Sequence, residues 1–293
     1  MSYVPVIIIG AGRSGTNMLR DILTRLPGVV TWPCDEINYI WRHGNVTHPT
    51  DEFSAAMVTP KIKRFVTRAF DRLAKPGVTH VVEKTCANSL RVGFVEEAVP
   101  NARYIHLVRD GRDVAVSAAK RWKAPLDLPY ILRKARYVPM SDVHYYASRY
   151  LMARLHRFKS TEKRLSSWGP RFDGMDHAHT NHDLNEVCAL QWQRCVERSD
   201  DAFASIESSR VCQLRYEDFV VNPAAHIRNI GTFIGLPISP VEADSFAAGV
   251  SAGSVGAAQR CLTPDQWNRL SDLVAETLEK HGYPKQAPER KAA

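Results

Sequence analysis

Near the start of the chain, Gly10-Ala11-Gly12-Arg13-Ser14-Gly15-Thr16 has the composition of an anion cradle. Three glycines in so short a span let backbone N–H groups converge on one point, and a helix beginning at the far end adds its dipole. Arg13 puts a guanidinium in the same turn. A second cluster, Arg109-Asp110-Gly111-Arg112-Asp113-Val114-Ala115-Val116-Ser117, lies about 95 residues further on. Arg109 offers a planar fork of donors suited to a dianionic phosphate. Ser117, two helical turns later, adds a hydroxyl donor. Lys84 in Val82-Glu83-Lys84-Thr85 and the acid pair Asp35-Glu36 complete the set of reactive types. His177-x-His179-x-x-His182 has metal-ligand types within six residues. It reads as a loop between Asp176 and Asp183 with no further partner, so no metal is expected.

The elements that must carry these residues follow from the apolar pattern. Val6-Ile7-Ile8-Ile9 is a continuous run, as in a strand buried on both faces. A helix with Met18, Leu19, Ile22, Leu23 and Leu26 follows the glycine turn and closes at Pro27-Gly28. Further strands are predicted at Val29–Trp32, Val78–Val82, Tyr104–Val108 and Arg210–Leu214. Helices are predicted at about Thr59–Leu73 and Asn88–Ala98, after Arg109–Arg112 through Ser117 to Trp122, and at about Ser141–Phe158, Leu184–Ser208, Pro223–Ile234 and Pro264–His281. Ser166 to Asn181 reads as loop. Strands alternating with helices predict an α/β fold with a central parallel sheet and helices on both faces. One domain over residues 1–293 is expected, with a helical insertion near 123–185. Lys84, at a strand end, should face the crevice at the carboxyl edge of the sheet.

Three chemistries use a glycine turn between a strand and a helix. Gly10-x-Gly12-x-x-Gly15 fits the dinucleotide fingerprint, with Asp35 and Glu36 about 20 residues on. Those acids, however, follow Trp32-Pro33-Cys34, past the expected strand end. Gly10-x4-Gly15 also fits the frame of a triphosphate loop, but Thr16 and Asn17 stand where Lys and Ser/Thr would be required. That argues against a nucleotide triphosphatase.

Arg13-Ser14-Gly15-Thr16 followed by a helix resembles the 5′-phosphosulfate loop of sulfotransferases that use 3′-phosphoadenosine-5′-phosphosulfate (PAPS). Arg109 through Ser117 resembles the 3′-phosphate segment of the same family, at the family's usual spacing. The likeness covers residues 5–35, 78–122 and 210–270, and is nearest to the tyrosylprotein and carbohydrate branch. It implies a P-loop-type donor site formed by Gly12, Arg13, Ser14, Gly15, Thr16 and Asn17, with Arg109, Ser117 and Arg121 on the 3′-phosphate. Tyr216, in Leu214-Arg215-Tyr216-Glu217-Asp218, would lie near the nucleotide. Ser254 would lie in a closing loop, Ser251–Gly256. The basic residue often found after that loop's Gly is replaced by Ala257-Ala258, with Arg260 as a substitute.

The resemblance also implies the reaction: in-line transfer of a sulfuryl group from PAPS to a hydroxyl, with no metal. Charge accumulates on the leaving bisphosphate and must be stabilised electrostatically. Arg13 and Lys84 are the catalytic cations. The general base must be a carboxylate or His in reach of the acceptor. Glu36 takes that role, with Asp35 in reserve. In other branches a His serves; His43 or His106 would be the counterpart, though His106 lies in an apolar strand and reads as a core residue.

The 293 residues carry 39 Lys and Arg against 31 Asp and Glu, a net charge of +8. Between Lys120 and Arg171 there are 13 Lys and Arg against three acids. That segment also holds eight aromatics. It favours an anionic partner or membrane surface, and an acceptor that is a carbohydrate, glycolipid or protein. No nucleic-acid module accompanies the charge. No apolar run reaches the roughly 18 residues of a membrane span. The start of the chain lacks a signal-peptide pattern. The six cysteines are scattered without a CxxC pair, which points to a reduced, cytoplasmic setting. Cys188 and Cys195 share a helix face as core residues. Two other readings stand beside this one. One is an NAD(P)-dependent oxidoreductase built on Gly10, Gly12 and Gly15. The other is a non-catalytic polyanion-binding protein using the insertion alone.

Overall fold

The computed structural model describes residues 3–124, 134–148 and 168–285. Five strands, β1 (Val4–Ile9), β2 (Val29–Val30), β3 (His80–Lys84), β4 (Arg103–Val108) and β5 (Val211–Arg215), form one parallel sheet in the order β2-β3-β1-β4-β5. All five therefore end at the same edge. The apolar run of β1 is buried on both sides because alternate residues face different layers. Val6 and Ile8 pack with Leu19, Leu23, Ile227 and Ile230, while Ile7 and Ile9 pack with Trp41, Phe70 and Phe94.

Helices with both ends among the described residues include α1 (Thr16–Leu23), α2 (Asn38–Trp41), α3 (Pro60–Asp71), α4 (Val92–Ala98), α5 (Gly111–Trp122), α6 (Met175–Asn181), α7 (Leu184–Phe203), α8 (Tyr216–Val221), α9 (Pro223–Ile234), α10 (Pro240–Ala247), α11 (Ala257–Cys261), α12 (Pro264–Leu273) and α13 (Ala275–Lys280). Three clusters of buried side chains result, one on each sheet face and one where α5, α7 and the C-terminal helices meet. Cys188 and Cys195 are buried in the last of these.

Several boundaries differ from the sequence expectation. β3 starts at His80, not Val78, because residues 75–79 form a turn: Gly77 has φ of 88°, and the Thr79 N–H donates to the Gly28 carbonyl. At its other end the strand runs past Val82 to Lys84, its last residue. β2 stops at Val30, and Trp32 instead turns into the core edge-on to Phe70. The 88–98 helix divides at Arg91 into a 3₁₀ segment, Cys86–Leu90, and α4. The C-terminal helix breaks at Val274, with φ of −124°. Leu184–Ser208 ends early, at Phe203.

The 166–181 loop is corrected more substantially. Gly174, in a left-handed conformation, opens α6, which buries Met175 and Ala178 and leaves His177 and His179 on its outer side. The three histidines have separate neighbours: His177 bonds Asn181, His179 packs on the Trp122 ring, and His182 meets Glu186. Of the predicted Ser141–Phe158 helix, residues 141–142 belong to a 3₁₀ turn, residues 143–148 are helical, and 149–158 lie outside the described residues.

Candidate active site

The glycine turn leaves the buried end of β1 and enters α1. Its path depends on two glycines. A Cβ on Gly10 would lie 2.6 Å from the Leu107 carbonyl oxygen, and one on Gly15 (φ 93°) would lie 2.6 Å from the Tyr216 ring. Arg13 itself has φ of 76°, in the region an L residue rarely occupies. No side chain caps α1 and no acid lies in its first turn, so its leading N–H groups face the cavity without an anionic partner from the chain.

The second cluster meets this turn directly. Arg13 Nε donates to Ser117 Oγ of α5 at 3.0 Å. Arg109, at the end of β4, donates to the carbonyls of Arg13 (3.1 Å) and Ser254 (2.6 Å). Its guanidinium lies 4.5 Å above the Tyr216 ring, and the Tyr216 hydroxyl is 2.8 Å from Ser254 Oγ. Asp113 steadies the arrangement from α5. It lies 3.5 Å from Arg109 and accepts from the backbone N–H groups of Gly256 and Ala258, both at 2.7 Å. Arg260 donates to the Gly253 and Val255 carbonyls, so it braces the closing loop.

Lys84 and Glu36 face each other across the other end of the site. Lys84 Nζ donates to Glu36 Oε1 at 3.2 Å, the Cys86 N–H adds a 3.3 Å bond to the same oxygen, and Lys134 Nζ stands 3.6 Å from Oε2. Burial alone would raise the Glu36 pKa, but Lys84 and Lys134 outweigh it and hold the carboxyl at about 2. Burial would likewise discharge Lys84, and Glu36 overcomes it, so the Lys84 pKa is raised. Burial, together with Arg109 and Arg121, lowers the pKa of Arg13. These cations crowd one another in a space with room for an anion.

One cavity of about 600 Å³ gathers this machinery. Every predicted site residue lines it except Ser14, which lies just beneath with 1% of its surface exposed. Asp35 also lines the cavity but is held by Arg20 at 3.1 Å. Neither alternative histidine lines it: His43 is buried against Asp142 at 2.9 Å, and His106 lies in β4 beside Asp200. Buried Ser14 Oγ, Asn17 Oδ1 and Arg109 Nε have no hydrogen-bond partner in the protein. Buried polar groups are ordinarily paired, so three such atoms around one cavity fit a phosphorylated ligand.

Sequence reading did not single out Lys134, Asp113 or Trp168. Trp168 comes within 3.3 Å of the Cβ position of Gly12 and walls the glycine turn. Lys134 and Trp168 had no motif to mark them. Asp113 stood within the second cluster, and its acid type amid basic neighbours was the available signal.

A parallel sheet whose first strand lies at its centre, feeding a glycine turn that faces basic side chains at the carboxyl edge, defines a phosphate-binding α/β protein. The dinucleotide variant does not fit. In that fold the ribose-binding acid ends the strand beside β1; here that strand is β3, which ends in Lys84. The sulfotransferase domain model matches residues 4–254, and the chain belongs to that family.

The omega-hydroxy-beta-dihydromenaquinone-9 sulfotransferase Stf3 of Mycobacterium tuberculosis is 23% identical over 234 residues, 77% of this chain and 46% of that protein. The chain thus spans about half the length of the curated relatives it matches. Among solved structures, the sulfotransferase domain of the Synechococcus PCC 7002 olefin synthase superposes with a TM-score of 0.56 at 16% identity, covering 98% of this chain and 97% of that one. A sulfotransferase from Alicyclobacillus acidocaldarius gives 0.51 at 17% identity, with 96% and 94% covered. Both show the shared fold.

Proposed function

We propose that this chain moves the sulfuryl group of PAPS onto a hydroxyl acceptor. The observation that carries the reading is the meeting, in one cavity, of a two-point phosphate grip with a lysine–carboxylate pair. Gly12 to Asn17 hold the 5′-phosphosulfate through backbone N–H groups and the Ser14 hydroxyl. Arg109, Ser117 and Arg121 hold the 3′-phosphate. Tyr216 and Ser254 close the nucleotide side.

In the transfer, the acceptor oxygen bonds to sulfur as the bond from sulfur to the bridging phosphate oxygen breaks. The acceptor proton passes to Glu36, and 3′-phosphoadenosine-5′-phosphate leaves. Lys84 and Arg13 stabilise charge on the sulfuryl group and the bridging oxygen. A carboxylate held at about 2 is a weak base. Drawing Lys84 onto the sulfuryl oxygens releases Glu36 Oε1 to take the proton, so donor binding prepares the base.

The acceptor is a hydroxyl on a carbohydrate, glycolipid or other lipid. Support comes from the basic, aromatic insertion and from the lipid hydroxyl in the name of the mycobacterial relative. The six cysteines are unpaired and, among the described residues, no helix is long and apolar enough to cross a membrane. These features support work in a reducing compartment, at a membrane surface where the acceptor is a lipid.

Titration calorimetry with 3′-phosphoadenosine-5′-phosphate and, separately, NADPH tests the donor. Micromolar binding of the bisphosphate alone is expected; preference for NADPH would refute the reading. Sulfur-35 PAPS offered with lipid and oligosaccharide fractions tests transfer. Glu36→Gln should abolish labelling without weakening bisphosphate binding. Binding without transfer to any fraction would favour the non-catalytic polyanion reading.

A further inference from the structure

Among the described residues of the insertion, Lys134 and Trp168 line the candidate site, and Lys134 is the one that meets Glu36. Lys134 lies early in the basic segment, yet it lines the cavity beside Glu36. Its ammonium stands 3.6 Å from Oε2, opposite the oxygen that Lys84 and the Cys86 N–H share. The side chain is well sheltered, 17% exposed, as is Glu36 at 24%. A charge pair with that little solvent around it is screened less than a surface pair.

The two lysines are not equivalent. Lys84 ends a central strand, and the reaction needs it at the sulfuryl group. Lys134 comes from a segment outside the sheet. The same segment is fastened to the body by the buried His43–Asp142 contact and by the Tyr39–Tyr146 edge-on ring pair. When Lys84 turns to the donor, Lys134 is the cation left on the carboxylate.

We propose that Lys134 is a positioning residue for the base: it holds Glu36 by Oε2 so that Oε1 faces the acceptor oxygen, and it ties that orientation to the seating of the insertion. This rests on Glu36 being the base. The other groups around Glu36 are Lys84 from β3, Cys86 from the following 3₁₀ segment, the buried Arg91 ahead of α4, Asp35 and Cys34 from the segment after β2, and Arg20 from α1. Of these, Asp35 is paired with Arg20 at 3.1 Å, and the Cys86 thiol stays protonated, pushed up to about 12 by burial and Glu36. Among the described residues, Lys134 is therefore the contributor from the insertion.

The test uses the full chain labelled with carbon-13 at glutamate carboxyl carbons, with the Glu36 signal assigned by its loss in Glu36→Gln. In Lys134→Met, removal of one adjacent cation should raise the Glu36 titration midpoint by roughly one pH unit. Lys134→Arg should keep the midpoint near wild type. Affinity for 3′-phosphoadenosine-5′-phosphate should be unchanged in both, which also reports a folded donor site. The acid limb of kcat/KM for the acceptor fraction that accepts label should move up with the midpoint in Lys134→Met, with kcat down roughly tenfold. A Glu36 midpoint unmoved in Lys134→Met would overturn the proposal, as would a moved midpoint with an unmoved acid limb and unchanged kcat. If Glu36→Gln still transferred label, the base assignment itself would fall, whatever the titration showed.

Discussion

At the scale of single residues, the site distinguishes charge from shape. Arg109 binds two carbonyls, stacks on Tyr216 and still has its Nε without a protein partner. A lysine there would keep the charge and lose the fork. Arg109→Lys is therefore expected to weaken 3′-phosphoadenosine-5′-phosphate by about 2 kcal/mol, roughly thirtyfold in calorimetry. Gly15→Ala should be worse, because the new methyl meets the Tyr216 ring at 2.6 Å on a backbone that disfavours it. Loss of bisphosphate binding together with a lowered melting temperature is the expected result. Most of these residues were legible in the sequence because a phosphate turn needs particular types at particular spacings. Lys134 was not, since nothing local ties it to Glu36, 98 positions earlier in the chain. That contact is made by tertiary folding alone.

At the scale of elements, the loop at 251–258 and the helix α5 act as one unit through Asp113. Asp113→Asn would leave two buried N–H groups with a poorer acceptor and Arg109 without its carboxylate. The expectation is a donor affinity lowered about tenfold with the sheet intact by circular dichroism. A different carboxylate, Asp51, joins the segment after α2 to the region around Arg91. It is bonded by Arg42 at 2.8 Å, faces Arg91 at 3.4 Å and accepts from the Arg171 N–H. Breaking such a buried network typically costs about 3 kcal/mol or more, so Asp51→Ala should lower the urea midpoint markedly. Strand and helix order was readable because periods of two and 3.6 leave strong traces. The shifted start of β3, the divided 86–98 segment and α6 were not. Each is set by a turn or a buried polar partner, such as Gly77, the Arg91–Asp51 pair or Gly174, whose effect depends on distant residues.

At the scale of the whole molecule, acidity and salt should act on different parts. Burial holds His106 at about 4, below its ordinary 6.5. Between those values the unfolded chain binds a proton that the folded chain refuses, so stability is full above about pH 6.5 and falls as pH drops toward 4. Urea midpoints taken across this range should show the decline, and His106→Gln should flatten it. Salt should weaken acceptor binding steeply if the basic segment from Lys120 to Arg171, with its 13 Lys and Arg, grips an anionic partner, and weaken donor binding less. Equal salt slopes for donor and acceptor would separate the insertion from acceptor recognition.

The reach of Arg109 carries a consequence for biosynthesis. Its fork joins the carbonyl of residue 13 to that of residue 254, and β5, which pairs with β4, begins only at residue 211. A chain still emerging from the ribosome has its glycine turn long before the partner carbonyl is translated. Ligand binding is therefore expected to appear only once residue 254 has been translated and folded against β4. Products ending before residue 250 should accordingly fail to be retained on an immobilised bisphosphate resin, while the full chain is retained.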